Sequence, residues 1–192
     1  MATDTGVEAN ARLTGYVAMA LLAVLAIDFA TGLVIRRDLL LHVIVGFATI
    51  PPLSLKLVSV GYRFVRYYTR EPRYRAAGTP ALGMRILAPV LVLLTVIVFG
   101  SGVELWVFGY RFGSFWIPVH HGSAYLWFIA AAVHVINYAR RAPSLLLADW
   151  RDNLRGALTR RSVVIASLVL GGALAVAMLS FASPFALSAG GS

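Results

Sequence analysis

Five stretches of this chain are apolar for about the length a helix needs to cross a bilayer, roughly 20 residues, and they leave few of its 192 residues for anything else. The spans are expected at about Leu13–Ile35, Leu39–Val60, Leu87–Val107, Ile117–Ala139 and Ser162–Phe181. With 59% hydrophobic residues and a mean hydropathy of +0.80, the chain carries more apolar surface than a soluble domain of its size needs. The fold class expected is therefore all-α: a polytopic membrane helical bundle of five transmembrane helices, read as one domain over residues 1–192. No whole-chain repeat, low-complexity region or second domain is visible, and the lipid bilayer is the first partner.

The net charge of +9 would suit a nucleic-acid partner if it formed a patch, but it is sorted by connection instead. The second connection carries Arg63, Arg66, Arg70, Arg73, Arg75 and Arg85, and the fourth carries Arg140, Arg141, Arg151, Arg155, Arg160 and Arg161. Twelve arginines there stand against Arg36, Arg37 and Arg111 in the opposite connections. The positive-inside rule assigns the second and fourth connections to the cytoplasm, with the N-terminus cytoplasmic, the C-terminus extracytoplasmic and no nucleic acid as partner. Asp4 and Glu8, with no small-residue cleavage site after the first apolar run, argue against a signal peptide. Having no cysteine, the chain offers no disulfide, iron–sulfur cluster or thiolate ligand.

Trp106, Tyr110 and Trp116 are expected in an aromatic belt at the outer ends of spans three and four. In the fourth connection, Leu146, Trp150, Leu154 and Leu158 recur every four residues among Asp and Arg. That pattern predicts an amphipathic surface helix over about 144–159, either a connector hugging the membrane or a docking surface.

His42 and Lys56 lie fourteen residues apart on the second span, and His120 and His134 fourteen apart on the fourth. Fourteen steps of about 100° return a helix to within roughly 40° of its starting face, about 21 Å further along. Both spans run from outside to inside, so His42 matches His120 in depth and Lys56 matches His134. Ionisable and imidazole groups in a membrane are costly and point to function by default. Neutral imidazole is an axial ligand of haem. The four nitrogens form a frame for two haems at two depths, or for one at the His42–His120 level. Histidines hydrogen-bonded between helices are the plainer alternative.

The same faces carry Gly46, Thr49 and Leu53 between His42 and Lys56, and Ala124, Trp127 and Ala131 between the two histidines. Small residues such as Gly46 would admit a flat macrocycle or simply close helix packing. His121 points about 140° away from His134 and reads as an interfacial neighbour. Pro51 and Pro52 are expected to bend the second span, and Pro52 removes a ladder hydrogen bond, so neighbouring helices must satisfy the freed carbonyls.

Lys56 is the only lysine beside sixteen arginines. A buried lysine can become a neutral amine with a lone pair for iron, which a guanidinium practically cannot. Snorkelling to the headgroups or a propionate contact are its other readings. Asp28 and Glu104 could carry protons to a quinone, orient a histidine and raise its basicity, or face water. Gly100–Ser101–Gly102 lacks the strand–turn–helix setting of a nucleotide loop.

The segment LLHVIVGFATIPPLSLKL, from Leu40 to Leu57, resembles the second span of bacterial membrane cytochromes b. The resemblance is closest to the haem-bearing membrane domains that accompany extracytoplasmic molybdopterin-dependent oxidoreductases. His42, Gly46, Ile50, Pro51 and Lys56 follow their pattern L-H-x-x-x-G-x-x-x-I-P-x-x-x-x-K-L in order. HHGSAYLWFIAAAVH, from His120 to His134, resembles their later span with a histidine at each end. The specific motifs occupy about 35 residues.

This resemblance implies an outer b haem held by His42 and His120. It implies an inner haem held by His134, with Lys56 standing where two-haem members have a second histidine. It also implies a bacterial plasma (inner) membrane location, a four-helix haem-binding core, and a quinone on one side of the electron path. A catalytic partner, if there is one, must then be a separate extracytoplasmic polypeptide. The chain itself reads as an electron-transfer subunit more than as an enzyme. A stand-alone quinone-linked oxidoreductase acting on a small oxidant, and a haem-free anchor or scaffold, are the rivals. A solute transporter is least favoured, since neither inverted repeats nor paired broken helices are seen.

Overall fold

The computed structural model describes residues 6–35, 38–151 and 156–189. Among them every regular element is an α-helix, in the order α1 (Gly6–Leu33), α2 (Leu39–Tyr68), α3 (Pro72–Ala76), α4 (Leu82–Phe108), α5 (Trp116–Tyr138), α6 (Arg141–Arg151), α7 (Ala157–Leu179) and α8 (Pro184–Ala189). The helices α1, α2, α4, α5 and α7 are long and apolar enough to cross a membrane, and they correspond one to one with the five expected spans. Only 11% to 28% of the most apolar window of each is buried within the protein. Apolar surface left uncovered on that scale requires a non-aqueous medium. The protein is a multi-pass, all-α membrane protein. Arg36, Arg37, Leu154, Arg155 and Asp4 lie outside the described residues.

The chain divides into two compact units. The first comprises residues 1–79 and 138–178, hence α1, α2, α3, α6 and α7; the second comprises 80–137 and 179–192, hence α4, α5 and α8.

In the first unit, Asp38 caps α2 by accepting from the Leu41 N–H at 3.0 Å. The helix then runs unbroken through Pro51 and Pro52. Neither proline has an N–H, so the carbonyls of Phe47 and Ala48 lose their ladder donors. The consequence expected from the sequence is met for Ala48: Gly171 of α7 approaches its carbonyl so closely that a β-carbon on Gly171 would overlap the oxygen. A glycine Cα–H is the group that can approach a carbonyl at such range. Val17 of α1 and Thr49 and Pro52 of α2 are fully buried in this unit.

The helix α6 lies against α1, where a β-carbon on Gly15 would sit 3.5 Å from both the Ala142 carbonyl oxygen and Leu145 Cβ. Its Asp149 is fully buried and forms a two-pronged ion pair with Arg160 of α7. Arg161 donates to the Tyr16 hydroxyl and to the Asp149 carbonyl, each at 3.2 Å, and stacks over Trp150 with its guanidinium carbon 4.3 Å from the ring centroid. Two arginines counted among the loop charges are thus built into the first turn and a half of α7. Tyr74 of α3 donates its hydroxyl to the Gly6 carbonyl at 3.3 Å. Burial, aided by the adjacent Tyr62, raises the pKa of this phenol and keeps it a donor.

Two expectations are corrected. The amphipathic pattern over 144–159 is not one helix: α6 ends at Arg151, Gly156 adopts φ +78°, and Leu158 belongs to α7, where it is 73% exposed. A left-handed glycine cannot propagate a right-handed helix, so the four-residue recurrence crosses a chain break in direction. Trp106 is not a belt residue. It is 5% exposed in the second unit, where α8 folds back over the end of α4. There Ser183 donates to the Trp106 carbonyl at 2.7 Å and accepts from the Ala186 N–H at 3.3 Å, capping α8. Gly109, at φ +59°, lets Pro184 come within 3.1 Å of where a β-carbon would be. Tyr110 remains half-exposed beside Phe185, ring centroids 5.6 Å apart.

Candidate functional site

In each unit a membrane-embedded histidine has its Nδ1 against a hydroxyl and a second oxygen. In the second unit, His120 lies in the second turn of α5 and Ser101 on α4. The His120 Nδ1 is 2.9 Å from the Val98 carbonyl oxygen and 3.1 Å from Ser101 Oγ. A carbonyl only accepts, so Nδ1 carries the hydrogen. The Ser101 hydroxyl spends its own proton on the same Val98 carbonyl at 3.0 Å, leaving its lone pairs toward the ring. In the neutral ring the lone pair is then on Nε2. Gly102 lies against the imidazole: a β-carbon there would be 3.0 Å from Cε1 and 3.4 Å from Nδ1.

In the first unit, His42 lies in the first turn of α2, and Asp28 and Thr31 on α1. The His42 Nδ1 is 3.3 Å from Thr31 Oγ1 and 3.4 Å from Asp28 Oδ1. Thr31 donates its hydroxyl proton to the Asp28 carbonyl at 2.8 Å, so it accepts from the ring. The tautomer is the same as at His120, with a carboxylate added beside the Nδ1–H. Of the roles open to Asp28, orienting a histidine is the one its position matches. Gly46 faces this carboxylate: a β-carbon there would make ordinary contact with Asp28 Oδ1 at 3.9 Å.

Lys56 is half-buried one level deeper in the first unit, and its Nζ donates to the Thr14 carbonyl of α1 at 3.4 Å. Around it Asn10 donates to the Ser59 carbonyl at 3.1 Å and accepts from Ser59 Oγ at 3.0 Å, while Thr14 and Ser59 share a hydroxyl–hydroxyl hydrogen bond. The amine belongs to a polar cluster between α1 and α2 and is turned inward.

On α5 the sheltered face reads His120, Ala124, Trp127, Ala131 and His134, the stripe expected from the fourteen-residue spacing. Trp127 is buried and fastened to α4 by its indole N–H, which donates to Thr95 Oγ1 at 2.8 Å. His121 is exposed, as its helical angle predicts. Glu104 is half-buried, with both carboxylate oxygens lacking a hydrogen-bond partner among the described residues. No group of three or more His, Cys, Asp or Glu that could hold a bare metal ion occurs among the described residues.

Sequence reasoning missed Thr31, Ser101, Gly32 and Gly102, and it treated Gly100–Ser101–Gly102 only as a failed nucleotide loop. A signal was present: IDFATG at 27–32 and IVFGSG at 97–102 spell related hexapeptides.

Comparison with protein-family models, with curated proteins and with solved structures gives no match.

Proposed function

We propose that the protein is a membrane-embedded b-type cytochrome subunit that passes electrons across the bilayer between a quinone pool and an extracytoplasmic redox partner. The observation that carries this reading is the shared state of His42 and His120, each with Nδ1–H engaged and its electron pair on Nε2. Metal-bound histidines characteristically donate their other N–H to a carboxylate or backbone carbonyl, which fixes the ring and raises its basicity. His120 has the Val98 carbonyl in that place, while at His42 the hydrogen bond goes to the Thr31 hydroxyl and the Asp28 carboxylate stands 3.4 Å away without a hydrogen bond to the ring. The donor chemistry of both rings fits residues that would hold a b haem, which when bound would supply reversible one-electron transfer.

In this reading His42 and His120 would hold the outer haem, a pairing that comes from their matched depth in the sequence. His134, with Lys56 as the other ligand, holds the inner one. Lys56 would serve as a ligand only in competition with the Thr14 carbonyl, to which its Nζ donates at 3.4 Å. The cytoplasmic placement of the second and fourth connections, the bacterial plasma membrane and the molybdopterin-dependent partner belong to the same proposal.

The test is the haem-to-protein ratio of the purified full chain by pyridine haemochrome, with His120→Ala and Lys56→Ala variants alongside. Two b haems in the parent are expected, with the low-spin spectrum of one lost in His120→Ala and that of the other altered in Lys56→Ala. One haem, unaffected by Lys56→Ala, would remove the inner site and leave the lysine to its polar cluster. A colourless protein from haem-replete cells would end the cytochrome reading in favour of a scaffold with structural histidines.

A further inference from the structure

The hexapeptides Ile27–Gly32 and Ile97–Gly102 agree at Ile, Phe and Gly, pair Ala30 with Gly100 and Thr31 with Ser101, and differ in kind only at Asp28 and Val98. Each lies near the C-terminal end of one membrane helix and meets a histidine near the start of the next. In each, the hydroxyl donates to the carbonyl three residues earlier, at 2.8 Å in the first and 3.0 Å in the second. That bond consumes the only proton the hydroxyl has and leaves it an acceptor toward the ring. In each, the final glycine faces the imidazole: its β-carbon would be 3.8 Å from His42 Cε1 in the first and 3.0 Å from His120 Cε1 in the second.

We infer that these hexapeptides are two copies of one histidine-setting element, whose hydroxyl holds the imidazole with its proton on Nδ1 and its lone pair on Nε2, with the glycine closing tightly on the ring in the second copy only. The histidine follows the hydroxyl by 11 residues in one copy and by 19 in the other. The loops between them are therefore unrelated, and the pairing is made by helix packing. Thr31 and Ser101 are positioning residues that act through His42 and His120. The copies diverge at their second position, where Asp28 brings a carboxylate to 3.4 Å of Nδ1 and Val98 only its backbone carbonyl to 2.9 Å. The inference rests on the cytochrome reading for what Nε2 binds; the tautomer itself does not depend on it.

The experiment is ¹⁵N NMR of the full chain, histidine-labelled, in lipid bilayers under dithionite, where low-spin haem iron is diamagnetic. His42→Gln and His120→Gln assign the two rings, and absorption of the same samples counts haem. Protonated Nδ1 is expected at both positions, with its proton resonance moved upfield at His42 alone in Thr31→Val and at His120 alone in Ser101→Ala. Thr31→Ser and Ser101→Thr, which keep the hydroxyl, are expected to restore the parent resonance, a recovery that a packing defect would not give. Gly102→Ala is expected to displace the His120 resonances while Gly32→Ala leaves those of His42 in place, following the 3.0 Å and 3.8 Å clearances. Protonated Nε2 at either ring, or resonances indifferent to loss of the hydroxyl, would overturn the element. A colourless sample with protonated Nδ1 at both rings and the expected shifts would uphold the element while refuting the cytochrome reading.

Discussion

Replacing Gly171 by leucine is expected to prevent α7 from packing on α2 and to leave the protein unable to accumulate in folded form. The cause begins at Pro52. Without an N–H, Pro52 leaves the Ala48 carbonyl unbonded inside a membrane helix, where no water can satisfy it. The carbonyl is covered by Gly171, whose hydrogen faces the oxygen at a distance no β-carbon could occupy. Because the obstructing atom is backbone, no rotamer change relieves the overlap, and the helices must separate. Ordinary overpacking costs about 1–3 kcal/mol, and separation adds the loss of the carbonyl's cover, so even Gly171→Ala is expected at the upper end of that range. Gly172 is the internal control, since a β-carbon there meets nothing within 4 Å. Gly172→Leu should unfold at the parent temperature in detergent or bilayer. Equal behaviour of the two leucine variants would show that the crossing is not as close as described.

The same residues show what could be read from the sequence and what could not. Five apolar runs of helix-spanning length are a one-dimensional signal, and each became a helix because only backbone length and hydropathy decide it. The proline pair was legible for the same reason: a missing N–H is a property of one residue, and the need to cover Ala48 followed without knowing that α7 would do so. The stripe from His120 to His134 also survived, because periodicity alone sets a helix face. What failed depended on elements returning from elsewhere in the chain. Trp106 has the composition of a belt residue, yet it is 5% exposed, and the return of α8 to its carbonyl lies outside what local spacing can show. The recurrence of Leu146, Trp150, Leu154 and Leu158 predicted one helix because periodicity does not register a left-handed glycine at 156. Asp28 stayed ambiguous until packing set it beside His42. The paired hexapeptides escaped because their six residues are mostly apolar among apolar neighbours, and their relation to the histidines lies across helices.

Truncating Asp149 to alanine is expected to detach α6 and to destabilise the first unit by about 3–5 kcal/mol, the cost of breaking a buried ion pair by removing one of its members. Asp149 is fully buried, and the Arg160 side chain is 8% exposed. Its guanidinium would remain inside with the carboxylate gone, and water could reach it only by lifting α6 from α1. Arg161 sharpens the effect, since it binds the Asp149 carbonyl and stacks on Trp150, and both contacts need α6 in place. The pair need not be a net source of stability, because desolvating two charges offsets most of their attraction. The double variant Asp149→Ala with Arg160→Met should therefore recover most of the loss, the methionine filling the arginine's path without its charge. Arg161→Ala, which removes only partly exposed contacts, should cost about 1 kcal/mol. Unfolding midpoints of the four proteins give a complete comparison. If the double variant falls as far as Asp149→Ala alone, the penalty comes from lost packing of α6 rather than from an uncompensated charge.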